Sequence, residues 1–259
     1  MPNYIDIEDN GRIRTIAINR ADKRNALNAD VVAELQQAFD AAEADDSVRV
    51  VVLTGRGGVF CAGADLAYLQ QINENSVLEN AEDSRQLMRL MYSIRTSTKA
   101  TIARVNGHAI AGGCGLALTC DILVSVEDAK FGFTEVRIGF VPAIVMKLLM
   151  ERSGMGVARE LLIRGNLVDA AVAKEYRMVN HVVSEERLDE TVTHIAREIA
   201  TETSPQAVAM TKRLMRDVAS RDIEDAMSLA YWQNAISRAT PDFRTGVNSF
   251  LSKSKPDWK

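Results

Sequence analysis

Strand and helix patterns alternate along roughly the first 186 residues of the chain, and this order restricts the possible folds more than any other feature. Short apolar runs rich in valine and isoleucine indicate buried strands, and stretches with apolar residues at helical spacing lie between them. The predicted strands are Arg49–Leu53, Thr101–Val105, Ile122–Val126 and Met178–Val183, and the predicted helices cover 76–97, Gly112 onward and Val157–Arg164. Strands that alternate with helices favour parallel βα units, so we predict an α/β fold.

The N-terminal segment differs, because it predicts antiparallel strands. Tyr4–Ile7 and Ile13–Ile18 flank Asn10-Gly11, a pair typical of a two-residue type I′ hairpin turn. A helix is predicted next, since apolar residues recur at helical spacing from Val31 to Ala42 and Asn28 is placed to cap the N-terminus.

Beyond about residue 186 the strand patterns stop, and only helices are predicted. Ser204-Pro205 and Thr240-Pro241 each offer an N-cap followed by proline at the first helical position. We therefore predict a core over residues 1–190 that carries the functional site, and a helical C-terminal region over residues 191–259.

The composition excludes several classes of function. Lys and Arg number 31 against 35 Asp and Glu, a formal net charge of -4, so the chain has no broad basic field for nucleic acid. The apolar runs are too short to span a bilayer, and the N-terminal segment does not resemble a signal peptide. The three cysteines form no CxxC pair, and the three histidines have no metal-ligand spacing. We expect a cytoplasmic protein with reduced thiols and no metal, nucleic acid or membrane partner.

The stretch Ile110–Asp121 begins a predicted helix with glycine at positions 112, 113 and 115, although glycine disfavours helices. A phosphate-binding loop is excluded, because Gly113 and Cys114 stand where its lysine and hydroxyl residue should be. The GxGxxG, GxSxG and HExxH motifs are absent as well. A helix start without side chains exposes free N–H groups that stabilise an oxyanion. Close packing of the helix on the sheet is the alternative explanation.

A second stretch, Phe60–Leu66, has the same character. It follows the strand at Val50–Leu53 and a glycine-rich turn, and it begins another helix. Two such turns could each supply one N–H to the same oxygen, and the pair is much more specific than either turn alone.

With these two turns, the sequence resembles the crotonase superfamily, the enoyl-CoA hydratases and isomerases. The resemblance covers almost the whole chain and is carried by four ordered motifs and a tail: Asn19–Asn28, Phe60–Leu66, Val105–Asp121, Phe131–Pro142 and Gly246–Lys253. It implies a spiral of ββα units whose C-terminal helical region forms homotrimers, often paired as a dimer of trimers.

The resemblance also implies a set of site residues. The N–H groups of Ala64 and Gly112 would form the oxyanion hole for an acyl-CoA thioester carbonyl, and coenzyme A would enter as part of the substrate rather than as a cofactor. Lys23 and Arg24 fit the phosphates of CoA, and Asp65 could cap a helix instead of touching CoA. The implied CoA-binding residues are Lys23, Arg24, Ala26, Leu27, Ala62, Asp65 and Leu66, with Phe250 and Lys253 contributed by a neighbouring subunit.

The carboxylates depart from the pattern of the superfamily. Its hydratases typically use two glutamates, and this chain has the second as Glu135 but Gly115 in place of the first. Glu135 alone would then act as general base and acid. Gly115 would also leave room for a branched acyl group, and Arg137 could meet a second carboxylate on the substrate or pair on the surface.

The expected activity is that of an enoyl-CoA hydratase in fatty acid or branched-chain amino acid breakdown. Phe131–Pro142 resembles the hydratases that act on methylglutaconyl-CoA. Two alternatives stay open: an isomerase that converts 3-enoyl-CoA to 2-enoyl-CoA, which a single glutamate suits, and a CoA-thioester-binding protein without activity, which Gly115 favours and Glu135 disfavours.

Overall fold

Residues 3–258 are described by a computed structural model, and their first element is the expected hairpin. Strands β1 (Ile5–Asn10) and β2 (Ile13–Ile18) pair antiparallel, with Asn10 opposite Ile13. The turn residues are therefore Gly11 and Arg12, one position later than predicted. Only Gly11 has a positive φ, 60°, so the turn is not type I′, which needs a positive φ at both central residues.

The central elements alternate as the sequence predicts. They are α1 (Ala29–Ala44), β3 (Val50–Gly55), β4 (Val59–Cys61), α2 (Leu66–Ile72), α3 (Val77–Thr96), β5 (Ala100–Val105), β6 (His108–Ile110), α4 (Gly112–Thr119), β7 (Ile122–Val126), β8 (Lys130–Gly132) and α5 (Ala143–Arg164). Then follow β9 (Leu167–Asp169), α6 (Ala170–Glu175), β10 (His181–Val183), α7 (Glu185–Glu202), α8 (Pro205–Val218), α9 (Ile223–Ser237) and α10 (Pro241–Leu251). Short 3-10 helices lie at Ala21–Lys23 and Glu135–Ile138.

Two sheets result from this order. The first has six strands in the order β1-β2-β3-β5-β7-β10, all parallel after the hairpin, and the second has four in the order β4-β6-β8-β9. Strands β3, β5 and β7 of the first sheet are each followed by a short strand of the second sheet and then by a helix, as in β3-β4-α2 and β5-β6-α4. This repeat is the expected ββα spiral. Its core is formed by fully buried strand residues such as Ile16, Leu53, Ile102 and Leu123.

The helix boundaries follow from local capping. Asn28, Ser204 and Thr240 each accept a backbone N–H in the first turn of the helix that they precede, which confirms the three predicted caps. Helix α5 begins at Ala143, earlier than the predicted Val157, and it continues to Arg164 through a kink at Gly154 (φ 80°). Glycine tolerates that backbone angle, which a pattern of apolar spacing does not reveal.

The four C-terminal helices differ in how they pack. Helix α7 packs across β2, β3, β5 and β7 and buries four apolar side chains, and the predicted boundary after residue 190 falls inside it. Helices α9 and α10 have no buried residue, although they carry large apolar side chains. These include Met227, Tyr231, Trp232, Phe243 and Phe250, all of them exposed. Within residues 3–258 no helix has both the length and the apolar character that a bilayer span requires.

Candidate active site

The two glycine-rich turns lie against each other beyond the carboxyl ends of β4 and β6. Gly63 has a φ of 90°, and a Cβ there would lie 2.9 Å from the Ile110 carbonyl oxygen and 3.6 Å from the Gly112 nitrogen. Only glycine combines that backbone angle with so close an approach. The turns at 62–66 and 110–115 therefore form one continuous surface, as the paired motifs predict.

The backbone N–H groups of Ala64 and Gly112 are among those on this surface that have no acceptor within residues 3–258. Leu27 forms an isolated parallel bridge with Ala64, donating to the Gly63 oxygen (2.7 Å) and accepting from Asp65 (2.8 Å). Since Leu27 bonds to both neighbours of Ala64, the Ala64 N–H points away from Leu27. The Gly112 N–H is free because Gly112 is the first residue of α4.

Ala111 holds the Gly112 N–H in place with a strained backbone. Its φ of 51° and ψ of -124° are unusual for a residue with a side chain. It is fixed by two hydrogen bonds, from its own N–H to the Gly132 oxygen (2.7 Å) and from the Gly115 N–H to its carbonyl (3.0 Å). Such strain costs about 1–3 kcal/mol and is concentrated at functional sites.

Glu135 is the acidic residue beside these turns. It begins the 3-10 helix after β8 and is 7% exposed. Its Oε2 atom is the one buried carboxylate oxygen without a hydrogen-bond partner within residues 3–258. Burial raises the pKa of Glu135. Burial also raises the pKa of the nearby Cys114 thiol, and the charge of Glu135 adds to that rise. A buried carboxylate with one unpaired oxygen and a raised pKa is suited to proton transfer.

The loop before α1 completes the surface. Besides the bridge at Leu27, the Arg24 carbonyl accepts the Ala62 N–H (3.1 Å), so the loop at 20–27 lies along the turn at 62–66. Ala26 and Leu27 are buried, whereas Leu66 is 78% exposed. The structure thus brings the two predicted CoA-binding segments of one chain together.

Comparison with known proteins agrees with this geometry. A family model described as enoyl-CoA hydratase/isomerase matches residues 8–259. The chain belongs to the enoyl-CoA hydratase/isomerase family. With it, the chain belongs to the crotonase superfamily, as the motifs predicted.

Relatives and solved structures match over nearly their full length. A Thermus thermophilus protein provisionally named an enoyl-CoA hydratase is 41% identical, over 96% of this chain and 98% of its own. The crotonyl-CoA hydratase of Syntrophomonas wolfei is 33% identical, over 98% and 97%. The crystal structure of an enoyl-CoA hydratase from Mycobacterium smegmatis superposes with a TM-score of 0.93 at 32% identity and covers 99% of both chains.

Measured against the family pattern, Asp65 has a structural role that the sequence allowed. Its side chain accepts the Ala67 N–H (2.9 Å) and caps α2, and it pairs with Arg20 at 2.6 Å. Burial acts to raise the pKa of Asp65, but the bonds from Arg20 and Ala67 outweigh it, and the pKa lies below its usual value. Lys23 and Arg24 form no salt bridge within residues 3–258, so their charges are free to meet an anionic ligand.

Two glycines of α4 serve packing inside the protein. A Cβ at Gly113 would lie 2.3 Å from the Cys61 carbonyl oxygen, so this glycine lets α4 approach β4 rather than a ligand. A Cβ at Gly115 would lie 2.1 Å from Val145 Cγ1. The expectation that Gly115 leaves room for a branched acyl group is therefore wrong, because the Val145 side chain occupies that room.

The C-terminal tail lies away from the turns of its own chain. Arg12 and Arg49, which precede β2 and β3, both donate to the Trp258 carbonyl, and the Trp258 ring lies close to Gly246 in α10. This places the tail at the amino ends of the strands, whereas the turns follow the carboxyl ends. Phe250 (84% exposed) and Lys253 are therefore not brought to the site of their own chain.

The remaining candidates lie around the site without joining it. Arg137 is exposed, forms no salt bridge within residues 3–258, and its side chain passes close to Gly165. His108 accepts the Lys130 N–H (3.2 Å). The cysteines are free and fully buried, and burial raises the pKa of Cys61 to about 12.

Sequence reasoning missed Asn25, which holds the loop in position. Asn25 is fully buried with a φ of 55°. Its side chain donates to the Arg56 (2.9 Å) and Val59 (2.7 Å) carbonyls and accepts the Arg20 N–H (3.0 Å). The signal was present, because asparagine is the residue that most readily combines a positive φ with local hydrogen bonds.

Proposed function

We propose that the chain is a hydratase of 2-enoyl-CoA thioesters, with Glu135 as its single acid-base group. The observation that supports this most strongly is the juxtaposition of the Ala64 and Gly112 N–H groups with a buried carboxylate whose Oε2 atom has no partner within residues 3–258. Hydrogen-bond donors aimed at a developing charge typically contribute a few kcal/mol each to transition-state stabilisation. The crotonyl-CoA hydratase among the relatives supports a short enoyl-CoA as the first substrate to test.

The proposed mechanism moves one proton through Glu135. As the water oxygen forms its bond to Cβ, the Glu135 carboxylate accepts a proton from that water, and the electron pair of the double bond shifts towards the thioester oxygen. The N–H groups of Ala64 and Gly112 hold the resulting enolate oxygen. Glu135 then returns its proton to Cα and the carbonyl re-forms, so that one water has been added and Glu135 is again ionised.

Binding of CoA follows from the loop beside the turns. Lys23 and Arg24 would meet the phosphates of CoA. The rest of the CoA molecule would lie along Ala26, Leu27, Ala62 and Leu66, and Asp65 would hold the turn at 62–66 in position. The exposed apolar faces of α9 and α10 support assembly into a homotrimer or a dimer of trimers. In such an assembly Phe250 and Lys253 would reach the site of a neighbouring subunit.

A second candidate activity is isomerisation of 3-enoyl-CoA to 2-enoyl-CoA. The absence of a second carboxylate at Gly115 favours it, since one glutamate can remove a proton from Cα and deliver it to Cγ without water. The oxyanion donors would serve the dienolate equally well.

A single assay series separates these functions. The purified protein is given crotonyl-CoA, a 3-enoyl-CoA, methylglutaconyl-CoA and free crotonic acid, and each is repeated with Glu135→Gln and with the exposed control Glu127→Gln. We expect hydration of the 2-enoyl thioester, a loss of about 10²–10⁴-fold in kcat for Glu135→Gln, no loss for Glu127→Gln, and no reaction of the free acid. A preference for methylglutaconyl-CoA that Arg137→Met removes would support the second-carboxylate role of Arg137.

The outcomes differ for each candidate. Conversion of the 3-enoyl thioester without hydration would establish the isomerase. No turnover of any thioester would leave only CoA binding, and full activity of Glu135→Gln would refute the proposed mechanism for both reactions.

A further inference from the structure

A contact between the first turns of α4 and α5 closes one position beside Glu135. A Cβ added at Gly115 would lie 2.1 Å from Val145 Cγ1, 3.0 Å from Val145 Cβ and 3.2 Å from Met91 Cε. Val145 and Met91 are each 3% exposed, so neither can withdraw into solvent. Dense packing of this kind leaves no space for even a methyl group. Position 115 is therefore closed to every side chain while Val145 is in place.

The closed position belongs to the same turn as the proposed oxyanion donor. Gly115 donates its N–H to the Ala111 carbonyl, and Gly112, three residues before it, shares its side of the helix. The residue between Gly113 and Gly115 is Cys114, which lies near enough to Glu135 to sense its charge. A side chain at position 115 would thus project from the helix turn that adjoins Glu135.

We propose that Val145 is a specificity-determining residue that restricts the site to one acid-base group. This inference rests on the proposed function of Glu135 and of the free N–H groups. By filling the space over Gly115, the isopropyl group of Val145 excludes a carboxylate side chain from this position and leaves proton exchange to Glu135. Truncation of Val145 would make room for a second carboxylate introduced at position 115 by Gly115→Glu.

The steric part is tested by a double-mutant cycle on thermal stability. The variants are Gly115→Glu, Val145→Ala, Val145→Gly and the two double variants. Gly156→Glu is the matched control, because a Cβ at Gly156 meets nothing within 4 Å. We expect Gly115→Glu alone to lower Tm by roughly 5–10 °C, as overpacking does in a domain of this size. Gly156→Glu should change Tm little, and recovery in the double variants should be larger with Val145→Gly than with Val145→Ala.

The chemical part is tested in the background of Glu135→Gln. There, the carboxylate introduced by Gly115→Glu together with Val145→Gly would take the proton from water and return it to Cα. We expect hydration of crotonyl-CoA at least about 10-fold above Glu135→Gln alone. The activity should rise with pH as the introduced carboxylate ionises, which a purely structural repair would not produce.

The two proposals fail in different ways. If the parent does not hydrate crotonyl-CoA, the proposed function is wrong regardless of the stability cycle. If the parent does so, a Tm for Gly115→Glu equal to that of Gly156→Glu would overturn the role of Val145. Additive effects in the cycle, or restored stability without any gain in hydration, would overturn it as well.

Discussion

Two acidic side chains at opposite ends of the parallel strands have opposite surroundings. Asp121 precedes β7 at the amino end, and its Oδ2 accepts the Thr101 N–H (2.8 Å), the Thr101 hydroxyl (2.9 Å) and the Lys212 ammonium (2.6 Å). Lys212 is 8% exposed and also donates to the Lys99 carbonyl (2.6 Å). Glu135 follows β8 at the carboxyl end, is buried to the same extent as Lys212, and has an oxygen with no partner within residues 3–258.

The difference distinguishes a buried ion pair that stabilises the fold, Asp121 with Lys212, from groups that the proposed function assigns to substrate. A buried polar atom without a partner costs about 1–3 kcal/mol, so most buried polar atoms in folded proteins have a hydrogen-bond partner. At the amino end the buried Lys212 and its partner Asp121 are satisfied, and α8 is thereby fixed to the sheet. At the carboxyl end the Oε2 atom of Glu135 and the N–H groups of Ala64 and Gly112 have no partner within residues 3–258, a cost that the proposed substrate would offset on binding.

The largest expected effect on the free energy of unfolding is at the amino ends of the strands. Lys212→Met leaves Asp121 without its buried cation and should lower the free energy of unfolding by about 3–5 kcal/mol. Glu135→Gln should leave the free energy of unfolding unchanged or raise it, because it removes an unpaired buried charge. Urea unfolding at one fixed protein concentration measures both, since any assembly makes stability depend on concentration.

The matched control for Lys212→Met lies one residue further along α8. Arg213 is 77% exposed and pairs with Asp217 at 3.6 Å, so Arg213→Met should change the free energy of unfolding by less than about 0.5 kcal/mol. Equal effects of the two substitutions would show that Asp121 and Lys212 do not form a stabilising pair. A large stability loss in Glu135→Gln would show that Glu135 has a partner in the folded protein.

The candidate site at the carboxyl ends of the strands was more predictable from sequence than the ion pair at their amino ends. The glycines at 63 and 113 and the N-caps at Asn28 and Ser204 are local signals, because a backbone angle, a close approach or a cap restricts the residue type at a single position. The order of strands and helices was also predictable, since hydrophobic spacing reports on it directly.

The interactions that sequence could not predict join distant segments. Lys212 and Asp121 are 91 residues apart, and neither has an unusual local context. The side chain of Val145, on a different helix, fills the space beside Gly115. The glycine alone therefore suggested an empty space that the folded protein does not have. A pattern along the chain contains no information on which side chain enters a space from a different element.

A smaller effect is expected at Asp65, a site residue that is satisfied. Asp65→Asn keeps the cap of α2, since asparagine caps as well as aspartate, but removes the charge that pairs with Arg20. We expect a loss of about 1–2 kcal/mol in unfolding free energy. We also expect a higher KM for enoyl-CoA, because the turn at 62–66 loses the ion pair that holds it. Asp222→Asn is the control, since exposed Asp222 caps α9 through the Asp225 N–H without an ion pair within residues 3–258. Matching losses in both variants would assign the effect to capping alone.

The smallest expected effect is the pH dependence of the unfolding free energy, which has opposite signs for Glu135 and Asp65. The folded pKa of Glu135 is raised, so its contribution to stability is complete below the unfolded pKa and is lost as pH rises through the folded pKa. The unfolding free energy of the parent minus that of Glu135→Gln should therefore fall as pH rises from the unfolded pKa of Glu135 to its raised folded pKa, by about 1.4 kcal/mol for each pH unit between the two pKa values. For Asp65, whose folded pKa is lowered, the parent minus Asp65→Asn should instead fall as the solution is acidified.

Activity should follow the same titration of Glu135. Because the ionised carboxylate is the proposed base, kcat/KM for hydration should rise with pH through the raised pKa of the free protein, over the range in which the stability difference falls. Unfolding curves and initial rates on the same preparations, from about pH 4 to about pH 9, test both. A stability difference that does not change with pH would mean that Glu135 titrates alike in the folded and unfolded chains. The contrast between Glu135 and Asp121 would then consist only in their hydrogen-bond partners.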